Sequence, residues 1–262
     1  MTSSLAAAEC SLLDRFLRAR RFSREFCAPL EVEDFVVQSM PDVSPTRWHL
    51  AHTTWFFETF LLKKFDSSYK PYEPAFEYLF NSYYNSVGRQ FPRAERGLLS
   101  RPTVADIWSY RDAVDEAVTR LLTHESNAQI NEIVEIGIQH EQQHQELMAT
   151  DIKHVFSCNP LLPAYFPGHD LQDNDQVQPT QQAEANWISY SGGVRQFGHL
   201  GDGFCFDNET PAFEHLLQPN EIQDRLVTNR EFLGFLQDGG YERPEFWLSM
   251  GWHAIQSHKW DS

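Results

Sequence analysis

The chain has 262 residues, 41% of them hydrophobic and 22% charged, which suits one large or two ordinary globular domains and is too apolar for a disordered chain. Its formal net charge of -16 repels phosphate backbones and excludes nucleic acid as an expected partner. No apolar run nears the roughly 20 residues of a membrane helix, the four cysteines (Cys10, Cys27, Cys158 and Cys205) form no CxxC pair, and Met1 to Cys10 lacks the basic segment of a signal peptide; together these predict a cytoplasmic protein with reduced thiols and no membrane partner.

Residues 9–26 carry Leu12, Leu13, Phe16, Leu17 and Phe22 near helical spacing, which predicts a first helix, followed by a loop with Pro29 and Pro41. Ser44 as N-cap and Pro45 as first helical residue predict a second helix through WHLAHTTWFFETFLLKKF. Its Trp48, His52, Trp55, Thr59 and Leu62 fall at spacings of 4, 3, 4 and 3, one face of a helix. Residues 67–102 are rich in Tyr, Pro, Asn, Gly and Arg and predict a long irregular connection of the kind that often carries function.

Thr103 with Asp106 in capping-box spacing opens a third helix, whose buried face is Val104, Ile107, Val114, Val118 and Leu121. A fourth helix is predicted over 128–157, with an inward stripe of Ile133, Gly137, His140, His144, Leu147, Asp151 and Val155. Four such helices with a long crossover between the second and third predict a four-helix bundle over residues 1–160. Residues 161–185 lose all periodicity and read as a linker. Over 186–262, Gly-punctuated apolar runs read as strands and turns, with a helix at 228–238 capped by Thr228 or Asn229. The expected fold class is therefore α+β.

The sharpest motif is HEQQHQE at 140–146. Two histidines at i and i+4 share one helical face, close enough to share a metal ion, and they lie on the apolar stripe. Buried neutral imidazoles need partners, either a metal or a carboxylate. His52, on the inward stripe of the second helix, is the candidate third ligand; His49, one turn earlier, is the substitute. Three imidazoles suit zinc, iron or copper, and spacing does not choose among them. Glu146 stands two residues past His144, off the ligand face of a regular helix; it and Gln143 remain candidates for substrate contact or plain helix surface. Arg93, Arg96 and Arg101 in the long connection are a candidate clamp for a substrate carboxylate, or surface charge. Tyr83, Tyr84 and Asn85 read as pocket lining or packing, and His154, His169 and His215 as structural or exposed.

SPTRWHLAHTTWFFETFLL, FNSYYNSVG, RGLLSRPT and HEQQHQELM together closely resemble the sulfoxide synthases of ergothioneine biosynthesis, the hercynine oxygenases. FDNETPAFEH, LVTNREFLGFLQDGGY and WLSMGW resemble the start of the formylglycine-generating-enzyme-like domain of that family. The resemblance implies a DinB-like four-helix bundle joined to an incomplete C-type-lectin-like α+β domain. It implies Fe(2+) held by His52, His140 and His144, and a reaction with O2 that joins the sulfur of cysteine or γ-glutamylcysteine to imidazole C2 of trimethylhistidine (hercynine) as a sulfoxide. It also points to Gln143 and Glu146 near the imidazole substrate and to Arg93 or Arg96 on the carboxylate of the thiol. Family members continue beyond this length and there supply an active-site Tyr, so the catalytic residue is expected beyond the chain and the 262 residues alone are expected to turn over poorly.

Other expectations stay open beside this one. A relative acting on unmethylated histidine or forming selenoneine would share the motifs. A DinB-like thiol transferase would use zinc at the same histidines without O2. An inactive fragment would keep the histidines as relics, with exposed apolar surface and poor solubility.

Overall fold

Ser11 caps the first helix through a reciprocal capping box with Asp14, and α1 runs over Leu12–Cys27. Its buried face is Phe16, Ala19, Arg20, Ser23 and Cys27, whereas Phe22 is half exposed. The helix lies where the apolar spacing predicts one, with Leu12, Leu13 and Leu17 packed against the core, and an arginine and a serine share its buried face. The computed structural model describes residues 11–125, 127–166 and 185–261. The expectations for Met1–Cys10, for His169 and for most of the 161–185 linker lie outside them.

The second helix, α2, covers Thr46–Phe56 and continues through a π-helical turn at Phe57–Leu62 into a last turn, α3, at Lys63–Phe65. Pro45 stands at the cap position and Thr46 is the first helical residue, one later than expected. Ser44 makes no cap; its backbone N–H goes instead to Asp151 Oδ2 at 2.9 Å. Every residue of α2 is buried, since this helix packs against both α5 (Val104–His124) and α6 (Ala128–Ser157). A one-face reading could not show that. The π turn buries Glu58, whose carboxylate accepts the hydroxyls of Tyr69 and Tyr110, each at 2.7 Å, and the N–H of Tyr72 at 2.8 Å. Such turns insert a residue into the helix and often lie near functional sites.

The connection from 67 to 102 includes a short helix, α4 (Phe76–Phe80), and a 3-10 helix at Arg93–Leu98. Thr103 and Asp106 form the predicted capping box of α5. On α6 the buried residues include Ile130, Val134, Gly137, Ile138, Glu141, His144, Gln145, Met148 and Asp151. The stripe is turned toward Glu141 and Gln145 relative to the expected one, and Leu147 is exposed. Helices α1, α2, α5 and α6 contact one another as a four-helix bundle.

The reason for that turn is a buried ion cluster. Glu141 accepts Arg20 Nη1 at 2.7 Å, Ser23 Oγ at 2.6 Å and Arg111 Nη2. Burial alone would raise the Glu141 carboxyl, but Arg111 and Arg20 hold it down at about 2. Arg20 also bonds Asp115 at 2.6 Å and Thr54 at 2.9 Å. One glutamate therefore ties α1 and α5 to α6 beside the two histidines, and Arg20 extends the cluster to Thr54 of α2.

The chain divides into two compact units, residues 1–172 and 173–262. The second contains β1 (Trp187–Tyr190) paired antiparallel with β4 (Asn220–Gln223), and β2 (Gly193–Phe197) paired antiparallel with β3 (Phe213–Leu217). Helix α7 (Asn229–Gln237) starts at the expected Thr228 cap, in a capping box with Glu231. The Trp-rich end forms α8 (Ser249–His258), which the sequence reading left without an element. Helical N-terminal bundle and sheet-containing second unit together make the chain α+β. No helix among the described residues is long and apolar enough to cross a membrane, and Cys27, Cys158 and Cys205 are free thiols.

Candidate metal centre

Helix α2 contributes His52 and helix α6 contributes His140 and His144, and one ring nitrogen from each lies within 4.8 Å of the others. Gly137 makes this approach possible. A Cβ there would sit 2.4 Å from Cε1 of Phe57 and 2.5 Å from its Cζ, so α6 runs against the aromatic wall of α2 one turn before His140. His52 is stacked between two indoles, with Trp48 at 4.6 Å and Trp55 at 5.6 Å between ring centroids. Its Nδ1 lies 2.6 Å from the carbonyl oxygen of Phe80.

Burial pushes all three imidazoles toward the neutral form. His140 falls to about 4, and His52 and His144 fall well below 6.5, with neighbouring imidazoles adding to the effect of burial. Among the described residues no carboxylate bonds any of the three directly, and the Nδ1 of His140 is buried with no hydrogen-bond partner. A cluster of uncharged imidazoles with an unpartnered buried nitrogen is a donor set that fits a divalent metal ion. His49, the substitute ligand, is not in this group; its Nδ1 lies 2.8 Å from Nδ1 of His144 and its Nε2 lies 3.0 Å from Asp151 Oδ2.

The cluster opens on a cleft of about 300 Å³. Trp48, Tyr83, Tyr84, Arg93, Arg96, Gln143 and Leu147 line it beside the histidines. Arg96 is 3% exposed, lies 3.4 Å above the Trp48 ring, and donates to Ser44 Oγ at 2.9 Å and Ser82 Oγ at 3.0 Å. Its Nε has no partner, and burial, then the nearby Arg93, lowers the guanidinium to about 9. Among the described residues it is thus a buried cation bonded only to hydroxyls. Arg93 is exposed and donates to the Tyr83 hydroxyl at 2.9 Å. Tyr83 itself has φ +64, an unusual conformation for a bulky residue, at the rim of the cleft. Among the described residues no Asp or Glu lines the cleft, although the chain as a whole is strongly acidic.

The structure therefore brings together His52, His140, His144, Arg93, Arg96 and Gln143. Glu146 is exposed and does not line the cleft, and Arg101, also exposed, lies outside it too. Sequence reasoning missed Arg20, Arg111 and Glu141. Arg20 follows Phe16 by four residues and precedes Ser23 by three, so helical spacing did place it on the face of Phe16, but its charge argued against burial.

The sequence matches the DinB superfamily over residues 15–148, just over half of the chain and nearly all of the bundle. The chain belongs to the DinB superfamily. All three histidines of the candidate metal centre of this DinB bundle, and the whole cleft lining, fall inside the matched span. The chain is also 29% identical over 221 residues to a protein of Mycolicibacterium thermoresistibile named hercynine oxygenase. The alignment takes in 81% of this chain and 45% of that protein, so the chain spans about half the length of its relative.

Proposed function

We propose that this chain is the metal-binding part of a non-haem iron, O2-dependent sulfoxide synthase, which joins the sulfur of cysteine or γ-glutamylcysteine to imidazole C2 of hercynine. One observation carries the reading: three uncharged imidazoles face a cleft that also contains a buried arginine without a carboxylate partner. The similarity to a hercynine oxygenase supports it. His52, His140 and His144 would hold Fe(2+), and three protein ligands leave other positions on such an ion free for small molecules. Iron there would supply one-electron chemistry with O2 and a seat for a thiolate.

The chain's own residues account for binding. Arg96, with Arg93 at the rim, offers charge-assisted bonds to the carboxylate of an amino-acid thiol. The faces of Tyr83 and Tyr84 suit a trimethylammonium group, whereas both faces of Trp48 are already covered, by Arg96 and by His52. The amide of Gln143 is the imidazole contact; Glu146 stands outside the cleft and is left out of that role. Residues 186–262 are read as the beginning of a formylglycine-generating-enzyme-like domain. Metal and thiol binding are assigned to this chain, and complete turnover to a protein with the full length of its relative.

Anaerobic loading with Co(II), followed by cysteine or γ-glutamylcysteine, tests the reading. A saturable thiolate-to-cobalt absorption band that Arg96→Met weakens is the expected result. Absence of that band with both thiols overturns it. Three imidazoles also suit zinc, the ion of a DinB-like thiol transferase; purification with zinc and thiol transfer without O2 uptake would establish that alternative.

A further inference from the structure

From His144 a hydrogen-bonded chain runs through His49, which also lines the cleft, to Asp151, and the proposed chemistry does not use it. His49 is 3% exposed and sits between His144 and Asp151. The Oδ2 of Asp151 that faces His49 also accepts the Ser44 N–H at 2.9 Å. Proton counting gives this chain a direction. A carboxylate only accepts, so Nε2 of His49 carries its hydrogen. An uncharged imidazole has a single N–H, so Nδ1 of His49 is bare and accepts. Across the 2.8 Å contact, His144 must then donate from Nδ1, which leaves the lone pair on its Nε2. His52 reaches the same state independently, since its Nδ1 can only donate to the Phe80 carbonyl.

We propose that His49 and Asp151 are positioning residues that lock His144 as its Nδ1–H tautomer, so that it presents Nε2 to a metal ion. The inference rests on the metal-centre reading and adds two residues to it. It explains why a second histidine is buried one turn before His52 without joining the cluster. It also explains why Asp151 is buried at a distance from the cleft. Partners of this kind fix ring orientation, and their loss weakens metal binding about 10- to 100-fold.

The test uses the full chain with Co(II) and Zn(II) as probes. His49→Phe fills the space and offers no acceptor; His49→Asn restores a side-chain carbonyl for the His144 N–H. Expected are Co(II) binding about 10- to 100-fold weaker for His49→Phe, recovery toward wild type for His49→Asn, and unchanged helical circular dichroism in both. Two-bond proton–nitrogen correlations of the Zn(II)-loaded wild type should show His144 protonated on Nδ1, a readout that needs no variant to fold. The proposal is overturned by wild-type affinity in His49→Phe, by equal loss in both variants, or by His144 carrying its proton on Nε2. Failure of the wild type to bind either ion would overturn the metal-centre reading itself, and this inference with it.

Discussion

At the scale of single residues, the site is organised by where charge is withheld. Burial keeps His52, His140 and His144 uncharged, so each folded-state pKa lies below the ordinary 6.5, for His140 near 4. The unfolded chain takes up a proton at each imidazole as pH falls through 6.5, and the folded chain does so only lower. Stability is therefore fully present above 6.5 and is lost as pH drops toward 4. The slope is about 1.4 kcal/mol per pH unit for each imidazole. The melting temperature of the metal-free chain should fall steadily between pH 7 and 5, and a flat profile would contradict neutral, buried histidines. Arg96 is the opposite case, a buried charge without a counter-ion, whose solvation cost is met only by two hydroxyls and an indole face. Arg96→Met should leave thermal stability unchanged or raised, yet weaken binding of cysteine to the Co(II)-loaded chain about 10-fold or more. Lower thermal stability with retained thiol affinity would make Arg96 a packing residue.

At the scale of elements, the centre depends on how close α6 comes to α2. Gly137→Ala would drive a methyl group into Phe57, whose ring is buried and packed edge-on against Phe16 at 4.9 Å. Such overpacking costs about 1–3 kcal/mol, and by parting the two helices it should also weaken Co(II) binding. Denaturant unfolding and metal titration check the two effects. Glu141→Ala leaves Arg20 and Arg111 buried without their shared acid and should cost about 3–5 kcal/mol. Calorimetry showing a smaller loss, near that of an exposed ion pair, would mean the cluster is solvated. Capping boxes and histidine spacing were legible in the sequence because they are local: Thr103 with Asp106, Thr228 with Glu231, and His140 with His144 each lie within one turn. The π turn, the buried Arg20–Glu141–Arg111 cluster and the His49–Asp151 pair were not legible. Each pairs or packs residues far apart in the chain, such as Arg20 with Glu141, and periodicity carries no information about such partners. The all-round burial of α2 was hidden for the same reason, since Arg47, His49, Thr53 and Thr54 lie off the stripe through Trp48, His52 and Trp55.

At the scale of the molecule, the two units differ in how well they cover their apolar side chains. The bundle buries a continuous core from Phe16 to Met148. In residues 185–261 the sheets are two-stranded, and Trp187, Ile188, Val194, Phe213, Leu216 and Ile222 on their strands are exposed. Two-stranded sheets are marginal by themselves, and exposed apolar patches of this kind attract partners. Limited proteolysis should accordingly cut within 185–261 before it cuts the bundle, and the chain should bind a hydrophobic dye at neutral pH. Equal resistance of both units would contradict this. The cleft of the bundle presents Arg93 and Arg96 in a chain of net charge -16, and the proposed function assigns them to the carboxylate of a thiol substrate. The central claim, a three-histidine metal centre, is tested most directly by anaerobic Fe(2+) titration of the chain and of its single histidine variants. The expected result is one ion per chain, with binding abolished or greatly weakened in His52→Ala, His140→Ala and His144→Ala and retained in His154→Ala. Stoichiometric binding that survives all three substitutions, or no binding by the wild type, would contradict it.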